Sequence, residues 1–162
     1  MPGQITAGMG GLIGNAGEYY VVAELLKRGV IAALAPRNSP AFDVLATRDG
    51  QTVRIRVKTK SDEYDAWQWV AKKDGSLFRD LSERGDFTIL VNLAVDRSKL
   101  RFFVLPTSIL NTWLVSDFEE WVKEPGKRGR PHDPANPKRH FEYTPWSVEL
   151  KRYEDNWELL WQ

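Results

Sequence analysis

Residues 53–60 read Val-Arg-Ile-Arg-Val-Lys-Thr-Lys, and alternation this strict suits only an extended backbone. On a strand, successive side chains point to opposite faces. Val53, Ile55, Val57 and Thr59 therefore share one face, and Arg54, Arg56, Lys58 and Lys60 the other. A helical period would scatter both sets around the axis. Just upstream, Asp49-Gly50 favours a tight hairpin turn, and Phe42–Ala46 supplies a second apolar-rich run. The stretch from Ser39 to Lys60 is thus expected to form a β-hairpin with one apolar and one basic face. Asp43, near the start of its first strand, and Lys58, near the end of its second, can meet on one side.

Such a hairpin needs a core to cover its apolar face. The 162 residues are 42% hydrophobic and 28% charged, which supports a packed core rather than a disordered chain. The length lies near the usual range of roughly 100–150 residues for one domain, so 1–162 is expected to fold as a single unit. The absence of cysteine excludes disulfides and thiolate metal sites and fits a reducing compartment. No run approaches the ~20 apolar residues needed to span a bilayer. The segment Met1–Thr6 lacks the basic start and apolar block of a signal peptide. The expectation is a soluble, cytoplasmic protein. The net charge of +1 does not itself point to nucleic acid, so distribution matters more than the sum. Positive charge gathers on the second hairpin strand and in Lys123–His140, negative charge in Asp117–Glu120 and Glu154–Glu158.

Along the chain, residues 1–11 are Gly-rich and expected to be flexible. Asn15–Arg28 is expected to be the first helix, with Asn15 as N-cap and Gly29 as C-cap. Val21, Val22, Leu25 and Leu26 form its apolar stripe, and Glu18, three to eight residues before them, falls on or beside it. Val30–Leu34 reads as a strand, ended by the region holding Pro36 and Pro40. After the hairpin, Ser61–Asp74 is either irregular or a further strand with Trp67 and Trp69 on one face. A short helix is expected over Leu77–Glu83, strands over Phe87–Val95 and Leu100–Leu105, and a helix over Pro106–Val122. Residues 123–140 read as an exposed basic loop, followed by a strand at His140–Tyr143 and one or two short helices over Ser147–Trp161. This order favours an α/β sandwich with a mixed central β-sheet flanked by helices.

An acidic group on the inward side of a helix needs a partner. Glu18 finds candidates in Asp43 and Lys58. Carboxylate oxygens suit Mg2+, which takes a few acidic ligands and keeps several waters. A metal held there lowers the pKa of a bound water and polarises a phosphoryl oxygen, while a nearby lysine orients the water or offsets charge on the phosphate.

Three pieces, Gly14-Asn15-Ala16-Gly17-Glu18 opening a helix, Ser39-Pro40-Ala41-Phe42-Asp43, and Arg56-Val57-Lys58-Thr59, resemble the PD-(D/E)xK nuclease superfamily in order, spacing and placement. The resemblance covers about residues 10–60, with a continuation through Leu105. It implies a restriction-endonuclease-like fold and Mg2+-dependent phosphodiester hydrolysis of DNA, with Mn2+ as a substitute metal. Glu18 and Asp43 would approach the metal, the Val57 carbonyl would complete its coordination, and Lys58 would position the attacking water. A homodimer is expected by analogy with many nucleases of the superfamily. The chain departs from the pattern at Arg56, where the superfamily carries Glu, Asp or Gln. Arginine is a permanent cation that cannot coordinate a metal. Its guanidinium is expected either to leave a weak site or to pair with Asp43 or Glu18 and fill the metal's place, which would leave a nucleic-acid-binding module without catalysis. On that placement, Arg56→Glu or Arg56→Gln should create or strengthen metal binding.

Plainer readings stand beside these. Glu18 lies three residues after Asn15 and suits a capping box, and Asp43 suits a turn cap after Pro40. Arg54, Arg56, Lys58 and Lys60 fit the solvated face of an edge strand as well as a phosphate-contacting strip, in which Arg54, Arg56 and Lys60 would grip nucleic acid. Lys127, Arg128 and Arg130 fit a solvated loop better than a backbone contact. Trp67 and Trp69 fit packing or dimerisation better than base stacking. His132 and His140 lack metal partners and receive no role.

Overall fold

The computed structural model describes residues 9–39, 41–82 and 84–162. The central hairpin forms as its alternation requires. Strand β2 (Val44–Arg48) and β3 (Gln51–Ser61) pair antiparallel, with Arg48 opposite Gln51. Asp49 and Gly50 between them both have positive φ, 52° and 80°, as a type I′ turn demands. A short strand β1 (Ile31–Leu34) flanks β2, while β3 pairs in parallel with β5 (Asp86–Leu93), itself antiparallel to β6 (Arg101–Pro106). The five-stranded sheet runs β1-β2-β3-β5-β6, the mixed sheet of the expected sandwich. A separate two-stranded ribbon pairs β4 (Ala66–Val70) with β7 (Lys138–Glu142).

Each face of the sheet has its own core. Helix α1 (Gly10–Lys27) lays Val21 and Leu25 on Val44, Val53, Ile55, Ile89 and Val91, joined by Trp157 and Leu160 from the C-terminal end. Each such fully buried side chain contributes about 1.5–3 kcal/mol. On the other face the ribbon, α2 (Thr107–Lys123) and α3 (Tyr143–Leu150) enclose Trp67, Leu90, Phe103, Leu105, Leu110 and Phe141. Strand β5 is buried on both faces, which accounts for its nearly unbroken apolar run.

Several expectations are corrected. The helix begins at Gly10, not Asn15, so Asn15 is an interior residue and there is no Asn15–Glu18 capping box; the Ile13 N–H already bonds the Met9 carbonyl. The flexible stretch expected over 1–11 is corrected at Gly10 and Gly11, which are helical, and residues 1–8 lie outside the described residues, as do Pro40 and Glu83. At the far end Gly29, φ 75°, follows Arg28. The N–H groups of Gly29 and Val30 bond the carbonyls of Leu26 and Leu25, a Schellman stop. No helix forms over 77–82, because the Arg79 and Asp80 carbonyls turn to accept from the guanidinium groups of Arg56 and Arg54. The loop expected over 123–140 is shorter and ordered: Lys123 closes α2, Pro125 bridges Pro131, and Lys138 opens β7. None of the seven tryptophans is among the exposed large side chains; Trp67 is fully buried and its indole N–H donates to the Val91 carbonyl at 3.0 Å.

Helix α1 comes close to β3 at Gly17, where a Cβ would overlap the Thr59 side chain. Gly14, one turn earlier, faces open space. Gly17→Ala is therefore expected to lower stability by about 1–3 kcal/mol in urea unfolding despite alanine's better helix propensity. Gly14→Ala should raise it by about 0.5–1 kcal/mol.

Candidate active site

The site arises from a mismatch in strand length. β2 begins at Val44, opposite Ile55, while β3 runs on to Ser61. Beyond Ile55 the β2-side edge of β3 has no strand to pair with. The Asp43 side chain takes the first free group: its Oδ2 accepts the Val57 N–H at 2.8 Å, while the Asp43 N–H bonds the Ile55 carbonyl at 2.9 Å. Backbone groups alternate between strand edges. Arg54 donates toward the β5 side, to Gly85, so Ile55 and Val57 present their groups to the β2 side. The Val57 carbonyl therefore opens beside Asp43.

Glu18 reaches the same place from α1, set by the close crossing at Gly17. Two clefts meet at Asp43. One also takes in Asn15, Glu18 and Arg37, the other Lys58, Trp69 and Phe78. The charges register this proximity. Burial, then the Asp43 carboxylate, push the Glu18 pKa up, with Arg37 opposing. Burial also raises Asp43, against the Val57 hydrogen bond and the charges of Arg56 and Lys58. Burial lowers Lys58, with Asp43 opposing. The Lys58 ammonium lies 5.3 Å from the centre of the Trp69 ring.

Arg56 does not pair with Asp43 or Glu18. It points across the sheet to Asp86, with Nε to Oδ1 at 2.9 Å and Nη2 to Oδ2 at 2.8 Å, and Nη2 also reaches the Arg79 carbonyl at 2.7 Å. Burial works to raise the Asp86 carboxyl, but hydrogen bonds from Arg56, Thr107 and Ser82 hold it below the usual range. The expected basic strip is accordingly narrower. Arg56 and Lys60 are each only 9% exposed, and Lys60 bonds the Tyr64 carbonyl at 2.6 Å and the Asn92 side chain. Arg54 is half-buried between Asp86 and the Asp80 carbonyl. The basic face lies under aromatic rings rather than in water: Phe78 over Arg56, Trp69 over Lys58 and Trp67 over Lys60.

Among the described residues no cluster of three or more His, Cys, Asp or Glu side chains is present. The donor set is two carboxylates and a peptide carbonyl, all hard oxygens of the kind Mg2+ binds along with water. The repulsion that raises Glu18 is one that a cation between the carboxylates would relieve. With its charge matched by Asp86, Arg56 leaves those oxygens free, so the residues present fit a divalent ion.

Arg37 and Asp86 escaped the sequence reading, and Trp69 was read for packing or dimerisation rather than as a neighbour of Lys58. Asp86 was marked only by its place ahead of an apolar run, and Arg37 by its place in a proline-bounded turn. Trp69 was marked by its spacing from Trp67, but its neighbour Lys58 depends on how the ribbon docks.

Known proteins give limited likeness. No family model matches the chain, and no curated protein sequence matches it. Solved structures similar to it include a bacterial homing endonuclease, 18% identical over 88% of this chain and 92% of that one, TM-score 0.45, and Hjc, a Holliday junction resolvase from Archaeoglobus fulgidus, 14% identical over 83% and 88%, TM-score 0.45. No helix among the described residues is long and apolar enough to cross a membrane.

Two outcomes follow from these charges. Arg56→Gln strands a buried Asp86, so denaturant unfolding should show a loss of about 3–5 kcal/mol, and calorimetry should show no gain in Mg2+ affinity; Arg56→Glu sets two carboxylates together and should fare worse. For Asp43 and Glu18 the folded state holds the proton more tightly than the unfolded chain. Their contribution to stability is full below the unfolded carboxylate range and is lost as pH rises through the raised folded values. Asp43→Asn and Glu18→Gln should therefore melt higher than the parent at pH 7, and the gap should close near pH 4.

Proposed function

We propose that the protein is a Mg2+-dependent nuclease that hydrolyses phosphodiester bonds in DNA. The observation that carries the reading is the meeting of Glu18, Asp43 and Lys58 at the open edge of β3 while Arg56 is drawn off by Asp86. Asp43, Glu18 and the Val57 carbonyl would hold the ion. When bound, Mg2+ supplies a coordinated water of lowered pKa and polarises a phosphoryl oxygen.

The remaining work falls to the protein's own groups. The hydrogen bond from the Val57 N–H fixes one oxygen of Asp43 and leaves the other to the cleft. Lys58, held between Asp43 and the Trp69 ring, orients the attacking water and offsets negative charge gathering on the phosphate oxygens. Arg37 tempers the charge of Glu18. The half-buried setting strengthens each of these interactions relative to open water.

The test is cleavage of duplex, single-stranded and branched DNA with Mg2+ or Mn2+, comparing the parent with Asp43→Asn, Glu18→Gln and Lys58→Met. Losses of about 100-fold or more are expected for Asp43 and Lys58 variants. Independently of turnover, Mg2+ should raise the melting midpoint of the parent and leave that of Asp43→Asn unmoved. A parent protein that cleaves no form of DNA with either ion, or variants that cleave as the parent does, would sink the assignment.

A further inference from the structure

The β4–β7 ribbon has an outer face that the candidate chemistry does not use. Its inner face is committed: Trp67 opposes Phe141 and both are fully buried, and Trp69 opposes Arg139, whose guanidinium lies 3.3 Å from the Phe118 ring centre. Because side chains alternate, the outer face carries Gln68 opposite His140 and Val70 opposite Lys138. All four are exposed, Val70 to 72%. Val70 is thus an apolar group on an otherwise polar outer face.

Charge along the ribbon is uneven. The end beside Trp69, and so beside Lys58, bears Lys138 and runs on into a tight turn with Lys72 and Lys73, closed by the Lys72 N–H on the Ser76 carbonyl and the Gly75 N–H on that of Lys72. Asp74 in this turn is occupied by Ser76. The opposite end bears Glu142, Asp65, Glu63 and Asp62. Lys138 and His140 also border a cleft with Asp117 and Glu120 of α2 and Glu124 just after it, so a polyanion is drawn to the Lys72–Lys73 turn beside the candidate site and kept from the α2 side and the far end.

Resting on the nuclease reading, we propose that this outer face enters the major groove of B-form duplex DNA. Lys72, Lys73 and Lys138 meet the flanking phosphates, and Gln68, His140 and Val70 meet base edges. A two-stranded ribbon is one of the shapes the B-DNA major groove admits, glutamine pairs with the adenine edge, and an exposed methyl group suits thymine. The deep, narrow major groove of A-form RNA excludes such an element. The substrate class is accordingly duplex DNA with some base preference beside the cut.

The experiment separates this surface from the chemistry by measuring binding with Ca2+ in place of Mg2+, using a random-sequence DNA duplex library, the matching RNA duplex and single-stranded DNA. Duplex DNA should bind about 10-fold or more tightly than either competitor. Sequences enriched from the library should lose their advantage with Gln68→Ala and His140→Ala, by about 5- to 100-fold, at an unchanged salt slope. Lys138→Ala and Lys73→Ala should weaken all duplexes alike and lower the salt slope by about one each. Equal affinity for RNA or single strands, or ribbon variants that bind as the parent does while Asp43→Asn abolishes cleavage, overturns the ribbon and leaves the nuclease standing. Weakened DNA binding by the ribbon variants in a protein that cleaves nothing supports the ribbon and overturns the chemistry.

Discussion

The pairing of Arg56 with Asp86 holds the most separate parts together. Four cations in a row on one strand cannot all be buried without compensation, because an unpaired interior charge costs several kcal/mol. Arg56 meets this demand with a forked contact to both oxygens of Asp86, on the neighbouring parallel strand. The Arg79 carbonyl and the Ser82 N–H join the same knot, so the segment between β4 and β5 is fastened to the sheet. Phe78, in that segment, closes over Arg56 and packs edge-on against Trp69, and Trp69 in turn covers Lys58. One ion pair thus satisfies a buried charge, secures a long connection and builds one wall of the candidate site.

The carboxylates show where the fold accepts cost. Glu24, Glu154 and Glu158 each have an arginine against them, and all three are held below the usual range by hydrogen bonds to cationic partners that prevail over burial. Glu18 and Asp43 are raised instead and sit together. Asp117 is raised too, by burial, yet it holds the Trp146 indole N–H at 2.8 Å and has a structural use. At the first two the nearby cations, Arg37 for Glu18 and Arg56 and Lys58 for Asp43, make no hydrogen bond to the acids and do not offset burial.

Local periodicity carried most of the fold. The alternation of Val53–Lys60, the Asp49-Gly50 turn, the apolar run of β5 and the Gly29 stop are properties of neighbouring residues, and the structure has each of them. The start of α1 was not legible, since three glycines and an asparagine argued for a later beginning while helical hydrogen bonding extended through them. The fate of the basic face was not legible either. Alternation sorts Arg54, Arg56, Lys58 and Lys60 onto one side, but whether water or a tryptophan-bearing ribbon lies there depends on residues 66–70 and 138–142 folding back. Likewise, Asp86 becomes the partner of Arg56 only through the β3–β5 register, which no local pattern encodes.

The contact of Gly17 with Thr59 carries a meaning beyond packing. Glu18 rides on the helix and Asp43 leads into β2, and the residue next to Glu18 packs against Thr59 of β3 with no room for a side chain. The bare glycine therefore acts as the thinnest available shim: the gap between the acidic oxygens is an interlayer distance, not a matter of side-chain reach alone. Thr59 leaves its hydroxyl buried without a partner among the described residues, a sign that the layers are pressed together at some expense. In a fold so arranged, the spacing of the two acids is set by the bulk of residues 17 and 59, neither of which carries charge.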